Sequence, residues 1–205
     1  MTLVKLCGLR SERDMIYAVR SGADMAGMIL SPGYRRSVPV PEAARMIGYV
    51  PGNVVSVGVF ADSPLSDVVK TSELLGLGAV QLHGSEDEDY IESLRGSTGI
   101  PVIKSFTISG ESDLENAESS CADLVLLDAG KGSGKVFDWS VISLKRKFIL
   151  AGGLSPENVG KAVSEVRPYA VDTSSGTETD GVKDPVKMAA FVENARKADR
   201  TEAGL

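Results

Sequence analysis

Eight short apolar runs, separated by amphipathic stretches, follow one another from end to end of the chain. No other feature restricts its possible folds as strongly. The runs cover residues 3–7, 25–30, 54–60, 79–82, 101–106, 124–128, 148–150 and 169–172. They are rich in Val, Ile and Leu and nearly continuous, as strands buried on both faces are. Between them stand helix start signals. Ser11 precedes Glu12-Arg13-Asp14, which predicts a capped first helix with Asp14 completing a capping box. Pro41-Glu42, Ser63-Pro64, Ser85-Glu86-Asp87-Glu88 and Ser112-Asp113 open the next four. A short sixth helix is expected around 139–144, Ser155-Pro156-Glu157 opens the seventh, and Lys183-Asp184-Pro185 opens an eighth running to about 198. Strands and helices in strict alternation imply a parallel sheet with right-handed crossovers. Eight units can close as a ring, so the fold expected is α/β, a (β/α)8 TIM barrel, with an open doubly wound sheet as the other solution. At 205 residues the chain is short for a barrel, so a single catalytic domain over 1–205 is expected, with a frayed tail at 201–205.

Charge narrows the partners. A formal net charge of −6 gives no general attraction to nucleic acid or to an anionic membrane. A phosphate site would therefore be local, built from backbone N–H groups and a few cations. The first six residues are too short for a signal-peptide core and Lys5 interrupts them; no apolar run reaches membrane-spanning length. These features point to a cytoplasmic protein. Cys7 and Cys121 are then not expected to form a disulfide. No Cys/His cluster has metal-ligand spacing, so no metal is expected.

In β/α barrels the chemistry gathers at the carboxyl ends of the strands. The unusual residues of this chain fall there: Cys7-Gly8 after the first run, the polar loop Ser31–Ser37 after the second, Gln81-Leu82-His83-Gly84 at the fourth, Asp128 at the sixth, Gly152-Gly153 after the seventh and Asp172–Gly176 after the eighth. Alternation puts Lys5 with Cys7, Gln81 with His83, and Asp128 with Leu126 on the interior side. Each has a plain structural alternative. Cys7 could be a small packing residue, Asp128 a loop carboxylate, and His83, the one histidine, a satisfied structural residue. Lys5 could pair with an interior carboxylate or favour a thiolate at Cys7, because a cation nearby stabilises the anion.

Two loops agree on phosphate. Leu150–Glu157 reads strand, two glycines, helix start; Val171–Gly176 reads strand, then Thr173, Ser174, Ser175 and Gly176. These follow the seventh and eighth strands, where barrels often bind phosphate on backbone N–H groups. Gly130-Lys131-Gly132-Ser133-Gly134-Lys135 looks like a nucleotide loop but is not one. Ala129 stands where the first glycine belongs, and Val136 where Ser or Thr should hold magnesium. A mobile loop over the site is the better reading.

With these motifs in order, the chain resembles the phosphoribosylanthranilate isomerases of tryptophan biosynthesis, from Lys5 to about Ala195. The resemblance rests on Lys5-Leu6-Cys7-Gly8-Leu9, Gly22-Ala23-Asp24, Ser31-Pro32 with Arg36-Ser37-Val38, Val57-Gly58-Val59-Phe60 and Val80-Gln81-Leu82-His83-Gly84. It continues through Leu127-Asp128, Gly132-Ser133-Gly134-Lys135 with Phe137-Asp138-Trp139, Gly152-Gly153-Leu154 and Asp172-Thr173-Ser174-Ser175-Gly176. It implies an Amadori rearrangement of N-(5-phosphoribosyl)anthranilate to 1-(2-carboxyphenylamino)-1-deoxyribulose 5-phosphate. By resemblance Asp128 is the acid and Cys7 the base. Arg36 holds the anthranilate carboxylate, Gly152, Gly153, Ser174, Ser175 and Gly176 hold the phosphate, and Asp172 reaches a ribose hydroxyl. Lys5, Gln81 and His83 line the site. No cofactor is implied. The partner is one small phosphorylated sugar, with the chain a monomer or homodimer. Tyr34, the doublet Arg35-Arg36, Thr177 and Thr179-Asp180-Gly181 depart from the family pattern. The histidine-pathway sugar isomerase barrel is the nearest rival, but it carries a carboxylate where Cys7 stands. Indole-glycerol-phosphate synthase should carry an N-terminal extension. A catalytically silent metabolite-binding barrel is the alternative from outside the enzymes.

Overall fold

The alternation is realised as a closed ring of eight parallel strands. The computed structural model describes residues 1–128 and 139–202. The strands are β1 (Leu3–Leu6), β2 (Met25–Ile29), β3 (Val55–Phe60), β4 (Ala79–Leu82), β5 (Val102–Thr107), β6 (Leu124–Asp128), β7 (Phe148–Ala151) and β8 (Ala170–Thr173). Each pairs with the next, and β8 closes on β1 in the register Leu3↔Ala170 to Leu6↔Thr173. Closure leaves the ring itself without an edge strand. Around the ring stand α1 (Glu12–Arg20), α2 (Val40–Ile47), α3 (Leu65–Leu75), α4 (Glu88–Thr98), α5 (Glu111–Ser119), α6 (Val159–Val166) and α7 (Pro185–Glu202). None of the described helices is long and apolar enough to cross a membrane.

The two-residue period of a strand sorts its side chains into two cores. Val4, Leu6, Val80, Leu82, Val125 and Leu127 point outward and pack with Met15 of α1, Ile91 and Leu94 of α4 and Phe191 of α7. Met25, Val57, Val59, Ile103, Leu126 and Ile149 point inward and fill the barrel, with Cys7 among them. The mouth is thus a polar rim standing on a packed apolar plug.

Helix starts follow the sequence with local shifts. The Ser11 hydroxyl accepts from the Asp14 N–H, but the Asp14 carboxylate reaches back to the N–H of Arg10 at 2.9 Å rather than to that of Ser11. Asp87, not Ser85, caps α4. Pro64 occupies the cap position of α3, and α6 begins only at Val159, after a turn. The expected sixth helix is a correction. Residues 139–141 form one 3₁₀ turn, Trp139–Val141, so seven α-helices rather than eight stand among the described residues. The segment places β-branched Val141 and Ile142 side by side between Ser140 and Ser143, and such residues favour helix interiors poorly. The loop 130–135 lies outside the described residues.

One feature was not anticipated. After β8 and a 3₁₀ turn, Ser175–Thr177, the chain makes a small hairpin of β9 (Glu178–Thr179) and β10 (Val182–Lys183). Asp180 and Gly181 have φ of 50° and 76°, the left-handed pair that a two-residue type I′ turn requires.

Candidate active site

The mouth is best built from β1 and β8. Their register sets Lys5 beside Asp172, and Lys5 Nζ donates to Asp172 Oδ1 at 2.8 Å. The lysine side chain is 0% exposed and the aspartate 12%. Burial works against the ammonium charge, but Asp172 and then Cys7 outweigh it, and the Lys5 pKa ends above its usual value. Cys7 follows on the same face, one step beyond the end of β1, with its N–H donating to the carbonyl of Thr173 at 2.9 Å. The thiol has room only because the neighbouring inward position of β2 is Gly27. A Cβ there would stand 2.8 Å from Cys7 Sγ.

Arg36 comes from the loop after β2. Its Nε and Nη2 donate to the two carboxylate oxygens of Glu178 at 2.6 and 2.9 Å, a bidentate pair. Arg35 Nη2 reaches the same carboxylate at 2.7 Å, and Lys183 Nζ lies 3.4 Å away. Arg36 is the inner arginine of the doublet, 15% exposed against 58% for Arg35. The Glu178 side chain is 4% exposed. Burial alone would raise its pKa, but bonds from Arg36 and Arg35 and the Lys183 charge hold it down at about 2. Lys183 is lowered by its burial, with Glu178 and Cys7 opposing. Three cations around one carboxylate leave this side of the mouth positive.

The two phosphate candidates stand side by side. Gly152 and Gly153 have φ of 90° and 70°, a conformation that a side chain would strain, and neither donates its N–H to a described residue. Gly176 passes so close to the turn after β7 that a Cβ would collide with the Leu154 carbonyl. Thr173 Oγ1 also bonds that carbonyl, at 2.6 Å, which ties the two loops together. Ser175 is exposed and Ser174 half-buried, its hydroxyl oxygen buried without a hydrogen-bond partner in the described structure. Thr177 turns its hydroxyl back to the Ser174 carbonyl.

Gln81 lies inside the rim at 2% exposure. Its Nε2 reaches Ser105 Oγ at 3.0 Å and His83 Nδ1 at 3.3 Å, while Oε1 is buried without a partner among the described residues. His83 is exposed at the rim, with Nδ1 in reach of Gln81. Asp128 closes β6, half-buried, paired in register with Thr107 and Ala151. Cys7, Lys5, Arg36, Asp172, Gly152–Gly153 and Ser174–Gly176 thus gather around β1, β7 and β8; Asp128, Gln81 and His83 occupy the rest of the rim. Sequence reading missed Glu178, Lys183 and Gly27. The first two had a signal in Asp180-Gly181, a two-residue hairpin dipeptide. Gly27 had none, because its role depends on a neighbour across the sheet.

A closed parallel barrel whose strand ends carry a thiol, a buried ion pair and glycine-hydroxyl loops belongs to the (β/α)8 barrels that work at their carboxyl-terminal mouth. The family model described as N-(5'-phosphoribosyl)anthranilate (PRA) isomerase matches residues 4–194, and the chain belongs to that family. It is 44% identical to the N-(5'-phosphoribosyl)anthranilate isomerase of Desulforudis audaxviator, over 97% of this chain and 100% of that one. The crystal structure of phosphoribosyl anthranilate isomerase from Thermotoga maritima superposes with a TM-score of 0.87 at 37% identity, covering 96% of this chain and 100% of that one. Another, in complex with reduced 1-(o-carboxyphenylamino)-1-deoxyribulose 5-phosphate, superposes at 0.85 with 35% identity over 96% and 100%.

Proposed function

We propose that the chain isomerises N-(5-phosphoribosyl)anthranilate to 1-(2-carboxyphenylamino)-1-deoxyribulose 5-phosphate in tryptophan biosynthesis. The reaction moves two electrons within the substrate. Sugar carbon 1 is reduced as carbon 2 is oxidised, so no external oxidant or reductant enters. Asp128 protonates the ring oxygen, and the furanose opens to a Schiff base. Cys7, as thiolate, removes the proton from carbon 2, and the resulting enolamine tautomerises to the ketose. Lys5 stands beside Cys7, and Asp172 and Cys7 together keep its ammonium charged in the barrel interior. Asp172 gives Lys5 one oxygen and has the other to offer a ribose hydroxyl. The turns at Gly152–Gly153 and Ser174–Gly176 hold the phosphate, and Arg36 holds the aromatic carboxylate. Gln81, whose buried Oε1 has no donor among the described residues, and His83 complete the rim. The net charge of −6 disfavours nucleic acid as a partner, and the chain acts as a monomer or homodimer.

The observation that carries this reading is the joint position of Cys7 and Asp128 on one rim, separated by β7 and β8, whose loops form the anion cradle between them. The test is fluorescence of phosphoribosylanthranilate as it is consumed. Wild-type protein should turn it over, and Cys7→Ala and Asp128→Asn should each lower turnover by at least ~10²-fold with folding intact. Substrate binding without turnover by the wild type would leave a silent binding barrel instead. Near-normal turnover in either variant would remove that residue from the mechanism.

A further inference from the structure

We infer that Glu178 is the positioning residue for Arg36: its carboxylate takes the Nε–Nη2 edge of the guanidinium and leaves the Nη1 edge for the substrate's aromatic carboxylate. The inference rests on the Arg36 reading above. A guanidinium has five N–H donors in a rigid plane and can hold two carboxylates, one on each bidentate edge. Glu178 fills one edge, at 2.6 and 2.9 Å. Arg36 Nη1 has no partner among the described residues.

Glu178 is itself held from several sides, so it can act as a fixed reference. Lys187 Nζ donates to its carbonyl at 2.8 Å, and Lys183 sits opposite it in the hairpin. Lys183 Nζ also donates to the Ser174 carbonyl at 2.6 Å, which fixes the hairpin to the serine-glycine loop. From the other side, Arg10 Nη2 donates to the Gly181 carbonyl at 2.7 Å. The hairpin is therefore a strap anchored to the loops after β1, β2 and β8. An arginine on a surface loop samples many rotamers, and ordering it on binding costs affinity. An arginine already locked to a buried carboxylate does not meet that cost. Among the described residues the strap reaches the serine-glycine loop only through Lys183, so Glu178 acts on Arg36 and not on that loop directly.

The experiment is steady-state kinetics on Glu178→Gln, Arg36→Ala and the double variant, with competition by inorganic phosphate measured alongside. Glu178→Gln should raise KM by about tenfold or more and change kcat by less than about threefold. Inhibition by inorganic phosphate should be unchanged, because phosphate does not use Arg36. In the Arg36→Ala background, Glu178→Gln should add less than about twofold to KM, since its effect runs through the arginine. Should circular dichroism show Glu178→Gln unfolded, Glu178→Asp serves in its place, keeping the charge but shortening the reach. An equal rise in KM with and without Arg36, or weakened phosphate inhibition, would overturn the positioning role in favour of a structural one. An unchanged KM in Glu178→Gln beside a raised KM in Arg36→Ala would overturn it alone. An unchanged KM in Arg36→Ala would bring down the Arg36 reading itself and this inference with it.

Discussion

Replacing Lys5 by Met tests the inner frame of the site. Methionine is unbranched and apolar and fits the barrel interior, so the change removes charge more than volume. Lys5 is fully buried, and its Nζ is 2.8 Å from Asp172 Oδ1. Removing one member of a buried pair typically costs about 3–5 kcal/mol, because the remaining charge is left uncompensated. Asp172 is 12% exposed at the mouth, where water can reach it, so the lower end applies, about 3 kcal/mol. For a chain of this size each kcal/mol moves Tm by about 2–4 °C, which predicts a fall of roughly 6–12 °C in a calorimetric or circular-dichroism melt at pH 7. The double variant Lys5→Met with Asp172→Asn should recover part of the loss, since neither charge is then orphaned. The pH dependence has a fixed sign. The Lys5 pKa is raised in the folded state, so the stability it contributes is fully present below its ordinary 10.5 and is lost as pH rises through the folded value. The gap between wild type and Lys5→Met should hold from pH 7 to 10 and narrow above that. A Tm within about 1 °C of wild type, or a double variant less stable than the single one, would refute the reasoning.

Gly27→Ala should drive a methyl group against the Cys7 thiol, which lies 2.8 Å from the added atom. Stability should fall by about 1–3 kcal/mol in urea unfolding, and kcat should fall at least about tenfold as the thiol is displaced. Unchanged kcat would show that the thiol has slack. Glu178, held at about pH 2 by its arginines, contributes stability that is present above its unfolded pKa near 4.5 and lost as pH falls to 2. Urea unfolding of wild type against Glu178→Gln should therefore show a constant gap from pH 7 to 4.5 that closes by pH 2; a gap closing near neutral pH would contradict the ion-pair assignment.

Periodicity carried most of the barrel. Near-continuous apolar runs at 25–30 and 54–60 marked doubly buried strands, and the alternation of Lys5 with Leu6 correctly divided interior from helix layer. It was less reliable where a helix depended on propensity alone, as at Trp139–Val141, because a periodic apolar pattern does not guarantee that β-branched neighbours will wind. The placement of Cys7, Asp128 and the two glycine loops at strand ends was legible, because each follows directly from where an apolar run stops. The loop carrying Arg36 was marked by its polar sequence, but the bidentate partner of Arg36 was not. Glu178 looks like any acidic loop residue until the hairpin folds it back across the mouth.

Residue order by itself determined the repeating strand-helix plan, the inward parity of Lys5, Cys7 and Asp128, and the family. These are local properties, fixed by spacing along one strand or one turn. Only the tertiary structure decided that Lys5 meets Asp172 across the closing β1–β8 seam, that Gly27 opens space for the thiol, and that Glu178 grips Arg36. Each of these is a contact between distant segments, set by the register and closure of the ring and by the left-handed turn at Asp180-Gly181. Closure turns eight independent strand ends into one rim, and so brings Cys7, Asp128 and the two glycine loops to a common mouth.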